Sequence, residues 1–347
     1  MQAPITIGGV TIRPGQRLTV DLPMAKLYTH TEMTLTAHVI HGRKPGPRLF
    51  VCSTVHGDEI NGVEIIRRLL KRKELSRLHG TLIAIPVVNS FGFINHSRYL
   101  PDRRDLNRSF PGSENGSLAS RLAALLLSEV LSLCTHGIDL HTGANHRFNL
   151  PQVRACLEDP VTEELARTFG APVMVNSHLR DGSLRDAVAD LGIPVLLYEA
   201  GEAFRFDELS IRTGLRGILA VMRSIGMLPQ RRSTVSHPIF SASTSKWVRA
   251  PISGIVTEIV TVGKQIVKGD RLAVVSDPFG ENQKVVRAPL SGLVIGRLEL
   301  PLVYQGDALL HIAVLEGAAD AEQVMEGLVS DLGQEDFWPQ LKKSGDL

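Results

Sequence analysis

Apolar and polar positions along the chain change their period twice. From Ile5 to Arg48 short β-type runs alternate with Gly and Pro turns, as in Met33-Thr34-Leu35-Thr36-Ala37-His38-Val39-Ile40, where every second side chain is apolar. That period of two predicts antiparallel strands with one buried face. From Leu49 onward, continuous apolar runs alternate with helical patterns. Strand Leu49 to Val55 precedes a helix from about Glu59 to Lys73, then a strand from Leu82 to Val88. An irregular segment from Asn89 to Gly116 leads to a helix capped by Ser117 and running to about Cys134. Strands Gly137 to Leu140 and Val153 to Leu157 come next, then a helix opened by Asp159-Pro160 and closed by Gly170. Strand Pro172 to Asn176, a short helix capped by Ser183, strand Ile193 to Glu199 and a helix from Asp207 to about Ser224 complete the series. Such alternation predicts an α/β fold, with a mostly parallel or mixed sheet covered by helices.

Near residue 240 the helical period stops. Ser241-Ala242-Ser243-Thr244-Ser245 is a Ser/Thr-rich boundary, and beyond it short β runs are separated by Gly turns. Ala250-Pro251-Ile252-Ser253-Gly254-Ile255-Val256 returns 38 positions later as Ala288-Pro289-Leu290-Ser291-Gly292-Leu293-Val294, an internal repeat. The predicted division is 1–240 (with 1–45 an opening β segment), a smaller all-β part over 241–315, and a tail over 316–347 with one amphipathic stretch near Ala321 to Leu332. The repeat, with Lys268-Gly269-Asp270 and Gln305-Gly306-Asp307, resembles the biotinyl and lipoyl carrier sandwiches over about residues 246–314. A carrier's modified lysine would fall at Glu281, and Lys284 lacks the carriers' flanking residues. The resemblance therefore implies a carrier fold used structurally.

Composition narrows the function classes. A net charge of +2 and only 5% aromatic residues give no basic stripe interleaved with aromatics, so nucleic acid is not an expected partner. Arg67-Arg68 and Lys71-Arg72-Lys73 read as a solvated helix end. Cys52, Cys134 and Cys156 lie in apolar segments without C-x-x-C spacing, which argues against disulfides and thiolate metal sites. The N-terminus carries no basic region followed by a long apolar run, and no apolar run spans a bilayer. The cytoplasm is the expected location. Oligomeric state is left open, a homo-oligomer included.

The chemistry gathers at strand ends. The run Val51-Cys52-Ser53-Thr54-Val55 delivers His56 and Glu59, Ile138-Asp139-Leu140 delivers His141, and Pro194 to Tyr198 delivers Glu199. Open α/β sheets work at the carboxyl ends of their strands. Two His and one Glu are an established catalytic zinc set, so His56, Glu59 and His141 would hold one Zn²⁺ per chain. Glu199 would be free to act as a base on water, whose pKa zinc lowers to roughly 7. With 12 histidines in the chain, one H-x-x-E match alone is close to an even bet; the conjunction of three strand ends gives it weight. Asp105 and Asp139 are candidate acceptors for the imidazole nitrogens facing away from the metal. His146, Arg147 and Asn149 either line the pocket or make a turn. His96 and His178 fall in loops, and His311 reads as structural.

His56-Gly57-Asp58-Glu59, Arg98-Tyr99, Asp105-Leu106-Asn107-Arg108-Ser109-Phe110-Pro111-Gly112, Asp139-Leu140-His141-Thr142-Gly143 and Glu199-Ala200-Gly201 resemble, in that order, the succinylglutamate desuccinylase/aspartoacylase family, part of the wider zinc carboxypeptidase group. The resemblance implies zinc on His56, Glu59 and His141, Glu199 as general base, Asn107 and Arg108 on a substrate carboxylate, and an arginine that polarises the scissile carbonyl. Arg98 is the match for that arginine. The gap before Asp105 is two residues longer than in the aspartoacylases and holds Arg103 and Arg104, so the choice among the three stays open in the sequence. The expected activity is hydrolysis of the amide bond in a small N-acyl amino acid carrying a carboxylate. The alternatives are a metallocarboxypeptidase acting on short peptides and a non-catalytic binding protein on the same fold.

Overall fold

The structure is a computed structural model that describes residues 2–230 and 238–316, with Val324, Glu326, Gly327, Leu328, Ser330 and Leu332 beyond them. Most of the tail assigned to 316–347 lies outside the described residues. Strands β1 (Ile5–Ile7) and β2 (Val10–Ile12) form a hairpin, and β3 (Arg17–Lys26) pairs antiparallel with β4 (Glu32–His41). In β4 the apolar positions 33, 35, 37 and 39 are buried, as the period of two requires.

The α/β series follows the alternation of the sequence. It comprises β5 (Lys44–Ser53), α1 (Asn61–Leu70), β6 (His79–Ile85), α2 (Ser90–Ile94), α3 (Leu118–Glu129), β7 (His136–Gly143), β8 (Arg147–Ala155), α4 (Pro160–Phe169), β9 (Val173–Asn176), α5 (Leu184–Ala189), β10 (Val195–Glu202) and α6 (Glu208–Ser224). Strands buried on both faces split their side chains between two cores. Phe50, Cys52, Ile83 and Ile85 face α3 and α5, while Leu49, Val51, Leu82 and Ala84 face α1, α4 and α6. The four predicted caps form: Ser117, Asp159, Ser183 and Asp207 each accept from the backbone N–H three residues on. Gly170 closes α4 at φ 73°, in the left-handed region where a Cβ is disfavoured.

Several element boundaries differ from expectation, among them the end of α3 at Glu129 rather than Cys134 and the start of β6 at His79 rather than Leu82, and two have a clear local cause. Helix α1 starts at Asn61 rather than Glu59, because residues 56–59 form a turn in which the Glu59 amide donates to the His56 carbonyl. Strand β8 starts at Arg147, six residues before the expected Val153, since it pairs with β10 along most of its length.

The remaining strands are β11 (Phe240–Arg249), β12 (Gly254–Ile259), β13 (Gln265–Ile266), β14 (Arg271–Ser276), β15 (Gln283–Arg287), β16 (Gly292–Leu298), β17 (Leu302–Val303) and β18 (Ala308–Glu316). Gly254 and Gly292, equivalent in the repeat, each open a strand. The first copy's strand, β12, lies in a four-stranded sheet ordered β15-β14-β12-β17. The second copy's strand, β16, joins the main sheet, ordered β13-β16-β18-β11-β9-β8-β10-β7-β5-β6-β4-β3. That sheet is mixed. Its parallel pairings include β5 with β6 and β7, and β7 with β10; β8 runs antiparallel to β10 and also to β16.

Candidate active site

Three adjacent parallel strands, β5, β7 and β10, end on the same side of the sheet, and the turn after β5 bends back over them. His56 and Glu59 come from that turn, His141 from β7 and Glu199 from β10, with Glu199 paired in register opposite His141. The two histidines and Glu59 are buried, and a ligand atom from each lies within 4.8 Å of the others. Both Nδ1 atoms turn toward the Glu59 carboxylate, His56 at 2.8 Å from Oε1 and His141 at 2.8 Å from Oε2. Both Nε2 atoms turn outward to a carboxylate, His56 to Asp105 at 3.1 Å and His141 to Asp139 at 2.9 Å. Each imidazole thus presents Nδ1 inward while an aspartate accepts from Nε2–H, the arrangement that fixes tautomer and orientation in histidine metal ligands.

Charge makes the same case. Glu59, Asp105 and Asp139 bring three carboxylates to the pair of imidazoles, and Arg98 alone bridges two of them, at 3.1 Å from Glu59 and 3.2 Å from Asp105. With both imidazoles neutral, as metal ligands are, the surplus of two negative charges suits a divalent cation. Burial alone would raise the Glu59 carboxyl, but the His56 and His141 rings beside it outweigh burial and hold it well below the carboxylate range. Burial alone would lower His141, but Asp139 and Glu59 together push it well above the ordinary histidine value. Two imidazole nitrogens and a carboxylate are zinc-type donors, so this donor set fits that metal.

A pocket of about 350 Å³ opens over the cluster. Seven arginines line it (Arg98, Arg108, Arg147, Arg154, Arg180, Arg185 and Arg249) against the two carboxylates of Glu59 and Glu199. Glu199 is hydrogen-bonded on one oxygen, where Asn149 Nδ2 donates to Oε2 at 2.6 Å, and faces a cation at the other, with Arg154 Nε 3.6 Å from Oε1. Arg185 is buried, and among the described residues its guanidinium donates only to Ser177, to the carbonyl at 3.4 Å and to Oγ at 3.2 Å. Burial first, then repulsion from Arg154, lowers its pKa.

Of the residues selected from the sequence, His56, Glu59, Arg98, Asn107, Arg108, His141 and Glu199 all line this pocket, and Asp105 and Asp139 stand directly behind the histidines. Arg103 and Arg104 do not line it, which leaves Arg98 as the arginine at the cluster. Asn107 and Arg108 lie in a 3-10 turn capped by Asp105. The Asn107 Oδ1 accepts from the Leu184 amide at 2.9 Å, and the Arg108 guanidinium folds back onto the Asn107 carbonyl. Arg147 and Asn149 line the pocket, whereas His146, His96 and His178 do not. His311 is buried in β18, where its ring stacks on Trp247 at 4.2 Å. Arg154, Arg180, Arg185, Trp247 and Arg249 were not marked by the sequence. The last two come from β11, so the C-terminal strands build one wall of the pocket.

This is a mixed α/β fold whose strand ends carry a His-Glu-His group that could hold a metal ion. Residues 45–225 match the succinylglutamate desuccinylase/aspartoacylase catalytic domain, and the chain belongs to that family. It is 25% identical over 284 residues, 78% of this chain and 83% of the other, to the N-alpha-acetyl-L-2,4-diaminobutyric acid deacetylase of Halomonas elongata. Among solved structures it is similar in fold to the product-bound ectoine utilization protein EutE (DoeB) from Ruegeria pomeroyi, with a TM-score of 0.80 and 23% identity, covering 90% of this chain and 100% of that one. The succinylglutamate desuccinylase/aspartoacylase from Rhodobacter sphaeroides gives a TM-score of 0.78 at 24% identity, covering 88% of this chain and 97% of that one. No helix among the described residues is long and apolar enough to cross a membrane.

Proposed function

We propose that the protein is a zinc-dependent hydrolase that cleaves the amide bond of a small N-acyl amino acid carrying carboxylate groups, with one zinc per chain on His56, Glu59 and His141. Zinc, when bound, supplies Lewis acidity that polarises an acyl carbonyl and lowers the pKa of water to roughly 7. Glu199 takes the proton of the attacking water and returns it to the leaving amine. Arg98 stabilises the charge developing on the carbonyl oxygen. Asn107 and Arg108 bind the substrate's carboxylate, and Arg185 offers a second, dehydrated fork of the kind that matches carboxylates bidentately. Asp105 and Asp139 keep the ligand imidazoles oriented.

The observation that carries this reading is the meeting of the His56–Glu59–His141 cluster, the Glu199 carboxylate and seven arginines in one pocket. The relative from Halomonas elongata is named for a substrate whose side chain ends in an amine. A pocket so rich in cations favours the opposite charge, so we infer an acidic substrate for this chain. Trp247, Arg249 and Ala308 close the pocket from the side of the β-rich part, which supports a small substrate over a peptide chain. We take residues 241–315 as one unit, a carrier-like fold used as a wall, and the cytoplasm as its setting.

Turnover of zinc-loaded protein on paired N-acetyl amino acids, differing only in whether the side chain ends in a carboxylate or an amine, tests the reading. Faster turnover of the carboxylate member is expected. Preference for the amine member removes the acidic-substrate assignment, and no turnover of any N-acyl amino acid removes the deacylase assignment.

A further inference from the structure

We propose that the C-terminal strands belong to the general-base apparatus: Gly296 on β16 seats Asn149, and Asn149 holds Glu199 in its working orientation. The inference rests on the assignment of Glu199 as the base.

Asn149 is buried, and its amide makes the short bond to Glu199 Oε2, 2.6 Å against 3.6 Å for Arg154 on the other oxygen. It is therefore the principal anchor of the carboxylate. Across the antiparallel pairing of β8 with β16, the residue directly opposite Asn149 is Gly296. A Cβ at Gly296 would stand 2.8 Å from Asn149 Oδ1, with the His311 Cβ at 3.2 Å and the Phe148 carbonyl oxygen at 3.6 Å. Gly296 is not among the glycines with positive φ, so backbone conformation does not demand a glycine here. Space beside the Asn149 amide, and beside the His311 Cβ behind it, does.

Two irregularities in strand register flank this pair. One lies between Val294 and Gly296 where β16 meets β18, the other between Glu199 and Gly201 where β10 meets β8. Bulges of this kind re-aim side chains and recur beside active sites. Here they put Asn149 on the same face as Glu199, with Gly201 opposite it on β10 and Gly296 opposite it on β16. Asn149 and Gly296 are positioning residues: Asn149 touches the base, and Gly296 acts on it through Asn149.

The test is a double-variant cycle on the zinc-loaded full-length protein with its best N-acyl amino acid. Gly296→Ala should lower kcat about 10- to 100-fold, the scale of an ångström-size misplacement of a catalytic group, with KM and bound zinc unchanged. Asn149→Ala should do the same. The double variant should be no slower than Asn149→Ala alone, because the methyl acts by displacing an amide that is already gone. Asn149→Gln gives an independent arm that leaves β16 untouched, since the longer side chain cannot fit the seat and should also lose kcat. Wild-type kcat in Gly296→Ala, a loss confined to KM, additive losses in the double variant, or full activity of Asn149→Gln would each overturn the inference. Glu199→Gln separates the two levels. An active Glu199→Gln enzyme overturns the base assignment and this inference with it; an inactive one beside an additive cycle overturns the inference alone.

Discussion

Arg185 gives a prediction in which stability and activity move in opposite directions. Its guanidinium is buried, touches no carboxylate among the described residues, and has only long hydrogen bonds to Ser177. Methionine in its place keeps the packing of the aliphatic stem and discards a charge that the fold desolvates without pairing. Exchanging buried ionic groups for apolar ones of similar volume often stabilises by about 1 to 4 kcal/mol; for a lone cation held by a serine the lower part of that range, about 1 to 3, is expected. At an unfolding entropy of about 2.1 cal/mol/K per residue over 347 residues, Arg185→Met should raise Tm by roughly 1 to 4 °C. Removing one member of a dehydrated charge pair costs about 2 to 5 kcal/mol, so kcat/KM on a substrate with a side-chain carboxylate should fall about 30- to 5,000-fold. The ester of that carboxylate, which never used the charge, should lose far less. Thermal melts and parallel kinetics on acid and ester measure both effects. A lower Tm would make Arg185 a structural brace on Ser177, and equal losses on acid and ester would remove it from substrate binding.

Three further outcomes are expected. Purified protein should carry about one zinc per chain by elemental analysis, and His56→Ala should lose it; equal zinc in both would refute the ligand assignment. Glu199→Gln should retain zinc yet lose roughly 10² to 10⁴ in kcat, whereas near-normal turnover would hand the base role to another residue. His311 is held neutral, its pKa lowered from 6.5 to about 3 by burial and then by Arg154, so the unfolded chain binds a proton that the fold refuses. Its contribution to stability is complete above pH 6.5 and is lost as pH falls from there toward 3. His311→Phe should flatten the acid limb of the stability profile between pH 6.5 and 4 by up to about 1.4 kcal/mol per pH unit. An unchanged limb in denaturant titrations would show that other groups set it.

Much of the candidate site was legible because its residues sit where periodicity is simple. His56, His141 and Glu199 follow largely apolar runs, each run lies in a parallel strand, and the ends of such strands meet by topology. The caps at Ser117, Asp159, Ser183 and Asp207 were legible for a local reason, since each forms within its own first turn. Long-range register was not. Arg154 and Asn149 face Glu199 from β8 although they are five positions apart, an odd spacing that a regular strand would send to opposite faces; the slip between Glu199 and Gly201 reconciles them. Arg249 and Trp247 reach the pocket only because β11 pairs with β9, a contact that spans about a fifth of the chain and leaves no mark in either segment's composition. Arg185 looks in sequence like an ordinary cation on a short helix, and only its burial separates it from Arg103 and Arg104.

The single sheet that runs from β13 to β3 bears on how the protein can be made and divided. A chain cut near residue 240, where composition changes, would leave the outer edge of β9 without β11 and the start of β8 without β16. Unprotected strand edges invite pairing with other copies, so the catalytic half alone should aggregate rather than fold into a smaller enzyme. Any grafting or shuffling of the β-rich part between family members has to transplant strand register along with sequence, because the seam runs through the hydrogen-bond ladder.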